Sequence, residues 1–371
     1  MIVSIIQRRL THYRVAFFNG LREKLAQDNV TLRLFHGVGA STEKLKNDTG
    51  YLEWAEPLDT RYLAKESLCW QPFSRVTRGS DLVILPQENA MLCNHIALWS
   101  RPSVRLAFWG HGANLQGKRD TLRERYRRWS TRKVDWFFAY TSLTEQLVID
   151  SGFPSNRITC VDNAIDTMDL KAALSTCSID KVSEFRALYS IPEDHVVGLF
   201  LGSLYPLKRL EFLISAAKLV RDRVKNFHLV VVGDGPARDV ILNAMQKFDW
   251  ISYVGAVHSG KKAVALRTAS ILLNPGVVGL GVLDSFIARV PMVTTDCGIH
   301  SPEIAYLNSG NGIVSENNID SFVTDCVRLV QDADLYERLK LGCRESADKY
   351  TLNNMINKFS AGIIEVLDSV A

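Results

Sequence analysis

SILLNPGVVGLGVLDSFIARVPMVTT, residues 270–295, sets two apolar runs on either side of a glycine turn and a short helical pattern. The first run, 270–274, and the last, 291–295, are rich in β-branched and aliphatic residues, as strands are. Only 16 residues separate them, and 281–289 reads as a helix. A strand, a crossover helix and a second strand make a parallel pair. The same grammar extends outward on both sides. Upstream lie VVGLFLGS (196–203) and a helix over 208–224 with Leu210, Leu213, Ala217, Val220 and Val224 at helical spacing. HLVVVGDG (228–235), a helix near 236–247, ISYVG (251–255) and a helix near 260–268 follow. The tail, 319–370, reads as two or three helices.

The first half repeats the pattern. Its expected strands are 2–6, 30–37, 82–86, 104–110, 136–141 and 158–163, with a helix carrying Arg14, Phe18, Leu21 and Leu25 on one face. Residues 38–80 show no clear period. Strands alternating with helices predict an α/β chain of two Rossmann-like, doubly wound parallel-sheet domains facing a cleft. We place them at 1–165 and 166–351, with the crossover near DNAIDTMDL (162–170). The C-terminal helix, about 352–371, is a candidate to pack back on the first.

Composition narrows the class. With 371 residues, 47% hydrophobic and 23% charged, the chain can bury two cores. Its apolar runs reach about eight residues, too short to cross a bilayer. MIVSIIQRRLTHYR reads as a first strand, not an export signal. Seven cysteines without a CxxC pair fit reduced thiols in a cytosolic protein. Residues 1–165 hold 23 Lys and Arg against 16 Asp and Glu, whereas the rest hold 21 against 24. The basic half therefore calls for an anionic partner or surface.

Three turns carry candidate chemistry. In LGSLYPLKRLEFLI (201–214) a strand ends at Gly202, and Lys208 and Arg209 open a helix, which suits phosphate. VVVGDGPARD (229–238) places Gly233, Asp234 and Gly235 in a second ligand-side turn. In the opening stretch Gly276, Gly279 and Gly281, with Val278 and Leu280 between them, let a backbone approach a ligand. Asp284 can accept hydrogen bonds from a ribose diol. Solvated surface charge is the plain alternative for Lys208 and Arg209, and a helix cap for Asp284. No His/Cys/Asp cluster argues for a metal, so no cofactor is expected.

From about residue 190 to 315 the chain resembles the second domain of a GT-B glycosyltransferase of the family 4 type, found in bacterial surface-polysaccharide assembly. The resemblance rests on Gly202-Ser203-Leu204 with Lys208, on Val231–Pro236 and on RVPMVTT (289–295). Pro302-Glu303-Ile304, Asn311-Gly312 and DNAIDT (162–167) extend it. It implies a donor diphosphate held by Gly202, Ser203, Lys208 and Arg209, with Lys208 catalytic. Gly276 and Asp284 stand where the family has two glutamates eight positions apart, and Ser203 where it often has arginine. It also implies a cleft role for the 7–14 loop (Gln7, Arg8, Arg9, His12, Tyr13, Arg14), suiting an anionic acceptor or the diphosphate. His111, in FWGHGANLQ (108–116), takes the place of a histidine near the donor sugar, a catalytic assignment here.

GKRDTLRERYRRWSTRK (117–133) holds eight Lys and Arg and two acids. As a basic amphipathic helix, with Arg123, Arg125, Arg127, Arg128 and Trp129, it suits an anionic membrane surface. No nucleic-acid motif accompanies it. The expected function is retaining transfer of a hexose from a nucleotide sugar, UDP-sugar favoured, to a glycan or lipid-linked glycan acceptor. Surface polysaccharide or lipopolysaccharide assembly at the inner membrane face is the expected setting. Two alternatives stand: a non-catalytic GT-B-like binding or partner subunit, and a two-domain sugar-binding protein.

Overall fold

The computed structural model describes residues 1–44, 48–100, 103–115, 121–257 and 259–369. Two compact units divide the chain, Met1–Asp166 with Thr351–Ala371, and Thr167–Tyr350.

In the first unit β1 (Ile2–Gln7) leads into α1 (Val15–Gln27) and β2 (Thr31–His36). The helix begins one residue after Arg14 and buries Phe17, Phe18, Leu21 and Leu25, so the expected stripe is the packed face. The aperiodic stretch after β2 forms short pieces. These are α2 (Ser41–Lys44), β3 (Glu56–Pro57) and an antiparallel hairpin of β4 (Arg61–Leu63) and β5 (Leu68–Trp70). Ala64, Lys65 and Glu66 turn that hairpin in left-handed conformation, which no Gly or Asn announces. Then come β6 (Leu82–Pro86), α3 (Leu92–Ser100), β7 (Arg105–Gly110), α4 (Leu122–Thr131), β8 (Trp136–Ala139), α5 (Ser142–Asp150) and β9 (Ile158–Cys160). The sheet order is β3-β2-β1-β6-β7-β8-β9, parallel throughout. Strand order reverses between β1 and β6, so the crevice for ligands lies at their carboxyl ends.

The second unit opens with α6 (Met168–Ser175) and α7 (Ile179–Leu188), which the sequence did not mark. β10 (Val196–Leu201), α8 (Leu210–Arg223), β11 (Phe227–Val232), α9 (Arg238–Met245), β12 (Ile251–Gly255) and α10 (Ser259–Thr268) follow. β13 (Ile271–Asn274), α11 (Val282–Ala288), β14 (Met292–Thr295) and β15 (Gly312–Ser315) complete a parallel sheet ordered β12-β11-β10-β13-β14-β15. Its reversal lies between β10 and β13. Leu210, Leu213, Ala217 and Val220 of α8 pack on Phe200, Leu229 and Val231 of the sheet, as the helical spacing predicts.

Side-chain caps split the tail into three helices. Asn318 caps α12 (Ile319–Gln331), Asp332 caps α13 (Ala333–Lys349) and Thr351 caps α14 (Leu352–Asp368). The last of these belongs to the first unit. Its Phe359 stacks on Phe138 at 4.3 Å and meets Phe17 and Trp109 edge-on.

Candidate active site

At the reversal point of the second unit four loops interlock. β10 ends at Leu201, and Gly202 donates to the Val232 carbonyl at 3.0 Å. Leu204 donates to the Asp234 carbonyl, and Ala237 returns a bond to the Leu204 carbonyl, both at 2.9 Å. Gly233, at φ +139°, sits so close that a Cβ would lie 1.8 Å from the Gly202 oxygen. Only glycine fits there. Asp234 is exposed and accepts from its neighbour Gly235 at 2.8 Å.

The turn after Gly202 is tighter than the helix expected from 208. Pro206–Lys208 form a 3₁₀ turn, and Arg209 adopts left-handed φ 57°, so α8 starts at Leu210. Lys208 is half-buried and its Nζ donates to the Val277 carbonyl. Burial pushes its ammonium down to about 8. The glycine loop after β13 presses on this turn: Val277 donates to the Leu207 carbonyl at 3.0 Å. A Cβ on Gly276 would stand 2.2 Å from that same oxygen and 2.6 Å from the Lys208 backbone. The position where the resemblance expects an acid therefore admits no side chain in this conformation.

Arg209 braces the loops. Its guanidinium donates to the Pro275 carbonyl (3.1 Å), Thr295 Oγ1 (3.0 Å) and Asn317 Oδ1 (2.7 Å), and it lies over the Phe212 ring. Ser203 and Gly281 are exposed, Gly279 and Leu280 half-buried, and Val278 buried. The start of α11 is less open to an anion than expected. The first N–H groups, of Val282 and Leu283, already donate to the Gly279 and Leu280 carbonyls at 3.0 Å. Asp284, instead of facing a ribose, is 6% exposed and pairs with Lys262 at 2.7 Å. Burial holds its carboxyl above the usual range, and Lys262 opposes that shift.

Two residues that sequence reasoning passed over complete the site. His300 is buried; its Nδ1 accepts from the Val278 N–H at 3.0 Å and its Nε2 donates to the Thr295 carbonyl at 2.7 Å. Those bonds fix the neutral tautomer and seat the glycine loop. The Asn274 amide donates to the Val277 carbonyl at 3.2 Å, leaving its buried Oδ1 without a partner among the described residues. A histidine two residues ahead of Pro302-Glu303-Ile304, just past a strand's carboxyl end, was the available signal. For Asn274 there was only its place at the end of β13.

The first unit's loop differs from the expectation of free cations. Arg8 is bidentate to Glu43 (2.6 and 2.7 Å), meets Glu88 at 2.6 Å and donates to Tyr62 at 3.0 Å. Its hydrogen bond holds the Glu43 carboxyl down to about 2. Arg9 pairs with Asp48 at 2.6 Å. Arg14 is buried, bonded to Asn163 Oδ1 at 2.7 Å and set over the Trp109 ring. Gln7 is half-buried, its carbonyl accepting from Gln71 at 3.0 Å, while His12 and Tyr13 are exposed. His111 follows β7, remains exposed and meets the Tyr140 ring edge-on at 4.5 Å. Although the side chain reaches solvent, its ring packs on Tyr140, and that desolvation, then the Arg14 and Arg127 cations, holds its imidazole below its usual range.

On α4, Arg123, Arg125 and Arg128 are exposed. Arg127 turns inward to Glu124 at 2.8 Å, which removes it from the expected basic face. Trp129 is half-buried and tilts against Tyr126, whose hydroxyl bonds His95 at 2.9 Å. Residues 117–120 of the basic stretch lie outside the described residues. No helix among the described residues is long and apolar enough to cross a membrane.

The sequence profile of the family described as glycosyl transferases group 1 matches residues 195–332. An uncharacterized glycosyltransferase of Methanocaldococcus jannaschii, MJ1607, is 24% identical over 222 residues, 58% of this chain. The match spans 55% of that relative's length. Among solved structures, Anabaena Alr3699/HepE in complex with UDP superposes with a TM-score of 0.69 at 11% identity, covering 98% of this chain and 100% of that one. A glycosyltransferase from Rickettsia africae reaches 0.70 at 13% identity, covering 100% and 99%. At such identities the likeness carries the fold, two parallel-sheet α/β domains of the GT-B type.

Proposed function

We propose that this chain, whose second unit belongs to the group 1 glycosyl transferases, moves a hexose from a nucleotide-diphosphate sugar to a glycan or lipid-linked glycan acceptor. A UDP-sugar is the favoured donor, because HepE, similar in fold, was solved with UDP. The observation that carries the reading is Lys208, a half-buried cation at the β10–β13 reversal, held on a backbone carbonyl and met by no carboxylate among the described residues. A cation that no carboxylate meets, at a ligand crevice, is matched to an anion.

In the proposed reaction the acceptor hydroxyl oxygen attacks the anomeric carbon, on the face from which the diphosphate departs. The bond from that carbon to the phosphate oxygen breaks, and its electron pair goes to the diphosphate. The hydroxyl proton passes to a diphosphate oxygen. Configuration is retained. Lys208 stabilises the departing charge, an electrostatic term already in place before reaction. His111, neutral near pH 7, offers a hydrogen bond to the donor sugar. Because Lys208 supplies positive charge, transfer is proposed to run without a divalent ion. The exposed arginines of α4 hold the protein to an anionic inner membrane face, in surface polysaccharide or lipopolysaccharide assembly.

Thermal-shift titration with UDP, GDP, ADP and dTDP sugars tests this. A ligand at ~100 Kd raises stability by about 2.7 kcal/mol, enough to identify the base. No shift with any of the four removes the donor site. Gly276 favours one second reading, a chain that binds the nucleotide without transferring sugar. A shift with UDP-sugar but neither transfer nor donor hydrolysis would select it.

A further inference from the structure

A cavity of about 900 Å³ lies in the first unit, at the other end of its strands from the β1–β6 reversal. Its walls include Asp81, Val83, Val104, Arg105 and Leu106, where β6 and β7 begin, so it sits at the amino-terminal edge of the sheet. Val83, Phe73, Cys93 and Leu106 give it a buried apolar floor. Trp70, 37% exposed, and Ile96, 51% exposed, form its rim. One turn along α3 from Ile96, Trp99 is 69% exposed on the same helical face. Ser74, Thr77, Arg78 and Ser80 add polar groups to the lining.

We infer that this groove holds the acyl chain of an anionic membrane lipid. Its volume and apolar floor are those of a small-molecule site. The lining combines buried apolar residues with polar ones, which fits an amphiphile. Charge then fixes the orientation. Arg105 is committed, capping α14 through the carbonyls of Val366, Leu367 and Ser369. Asp81 is committed too, accepting from the Ile2 N–H at 2.7 Å. The Arg78 side chain is exposed and has no ion-pair partner among the described residues, so it is the group that meets an acidic head. The helices beside the groove point to a membrane as the lipid's source. α3 is tied to α4 by the Tyr126–His95 bond, and Asn89 donates to the Arg123 carbonyl at 3.1 Å. The exposed Ile96, Trp99 and Leu122 thus share a neighbourhood with Arg123 and Arg125. Apolar side chains amid arginines suit the headgroup boundary of an anionic bilayer.

This inference rests on the membrane reading of α4, not on sugar transfer. The probe is cis-parinaric acid in lipid-free buffer, a long-chain polyene carboxylate that fluoresces in apolar sites. The folded wild-type protein should bind it saturably, one per chain, with oleate displacing it. Ala97→Trp or Val104→Phe, each filling the groove from a different wall, should weaken binding at least tenfold with an unchanged circular-dichroism spectrum. Arg78→Glu should weaken the carboxylate probe but not displacement by neutral dodecanol. Absent saturable binding, or binding indifferent to both filling substitutions in folded protein, overturns the inference. Flotation of wild-type protein with phosphatidylcholine vesicles, with and without phosphatidylglycerol, reports separately on α4. Absent flotation with retained probe binding overturns the membrane lipid as occupant, and assigns the groove to a free carboxylate amphiphile instead.

Discussion

The two units share a strand order around their reversal points, yet they furnish the crevices oppositely. After β1 the cations are answered by acids: Arg8 by Glu43 and Glu88, Arg9 by Asp48. After β10 they are answered by carbonyls, a hydroxyl and an amide, so their charge is not cancelled. Topology offers a ligand crevice twice. Side-chain pairing then decides which one attracts an anion. The net positive charge of the first half is a poor guide here, because two of the three arginines in its most promising loop are paired with acids from elsewhere in the chain.

The comparison breaks most sharply at Lys208. Lys208→Ala should lower transfer by ~10²-fold or more, the scale of losing one preorganised contact to developing charge. Arg8→Ala should leave UDP affinity unchanged, and cost about 1–3 kcal/mol of stability by stranding Glu43. Equal losses of UDP affinity in both variants would erase the contrast. Acid titration examines the neutral crevice alone. Glu43 is held below its ordinary 4.5, so its contribution is present above that value and fades as pH falls toward about 2. Chemical denaturation between pH 6 and 3 should show a decline that Glu43→Gln removes.

Crowding gives the next effect. Gly276→Ala should destabilise by about 1–3 kcal/mol, read as a lower Tm, because its methyl meets the Leu207 carbonyl. A neutral result would mean that the two loops part easily. pH sharpens the second crevice further. Lys208 loses its proton near 8 in the free protein, so UDP affinity should fall by up to about tenfold per pH unit above that point. Lys208→Met should flatten the profile. The smallest expected effect is none: chelation with EDTA should leave the transfer rate unchanged, and a collapse would place a divalent ion where Lys208 is proposed to suffice.

Much of the fold was legible because its signals are local. β6 and β12 match their apolar runs end to end, and the α8 stripe is the buried one. β15 was missed because its run, Gly312–Ser315, opens on glycine, closes on serine and holds only Ile313 and Val314 as apolar residues. α6 and α7 were missed because their polar residues show little period. The glycine turns and Lys208 were legible for the same local reason, a strand ending in glycine before a helix. Pairings across distance were not. Nothing in the 7–14 stretch announces that Glu43, 35 residues away, closes on Arg8. Nor does the opening stretch name His300, which seats its loop from beyond the next strand. Asp284 was found by position, and its burial against Lys262 was invisible because α10 supplies the partner.

Because α14 closes the aromatic cluster of Phe17, Trp109 and Phe138, the two units cannot mature in the order in which they are translated. The second is one uninterrupted stretch and can complete itself as soon as Tyr350 has left the ribosome. The first, though begun earlier, must wait with its hydrophobic wall unfinished until residue 368 emerges. A nonsense mutation near 351 would therefore injure the unit begun first, and spare the unit begun second.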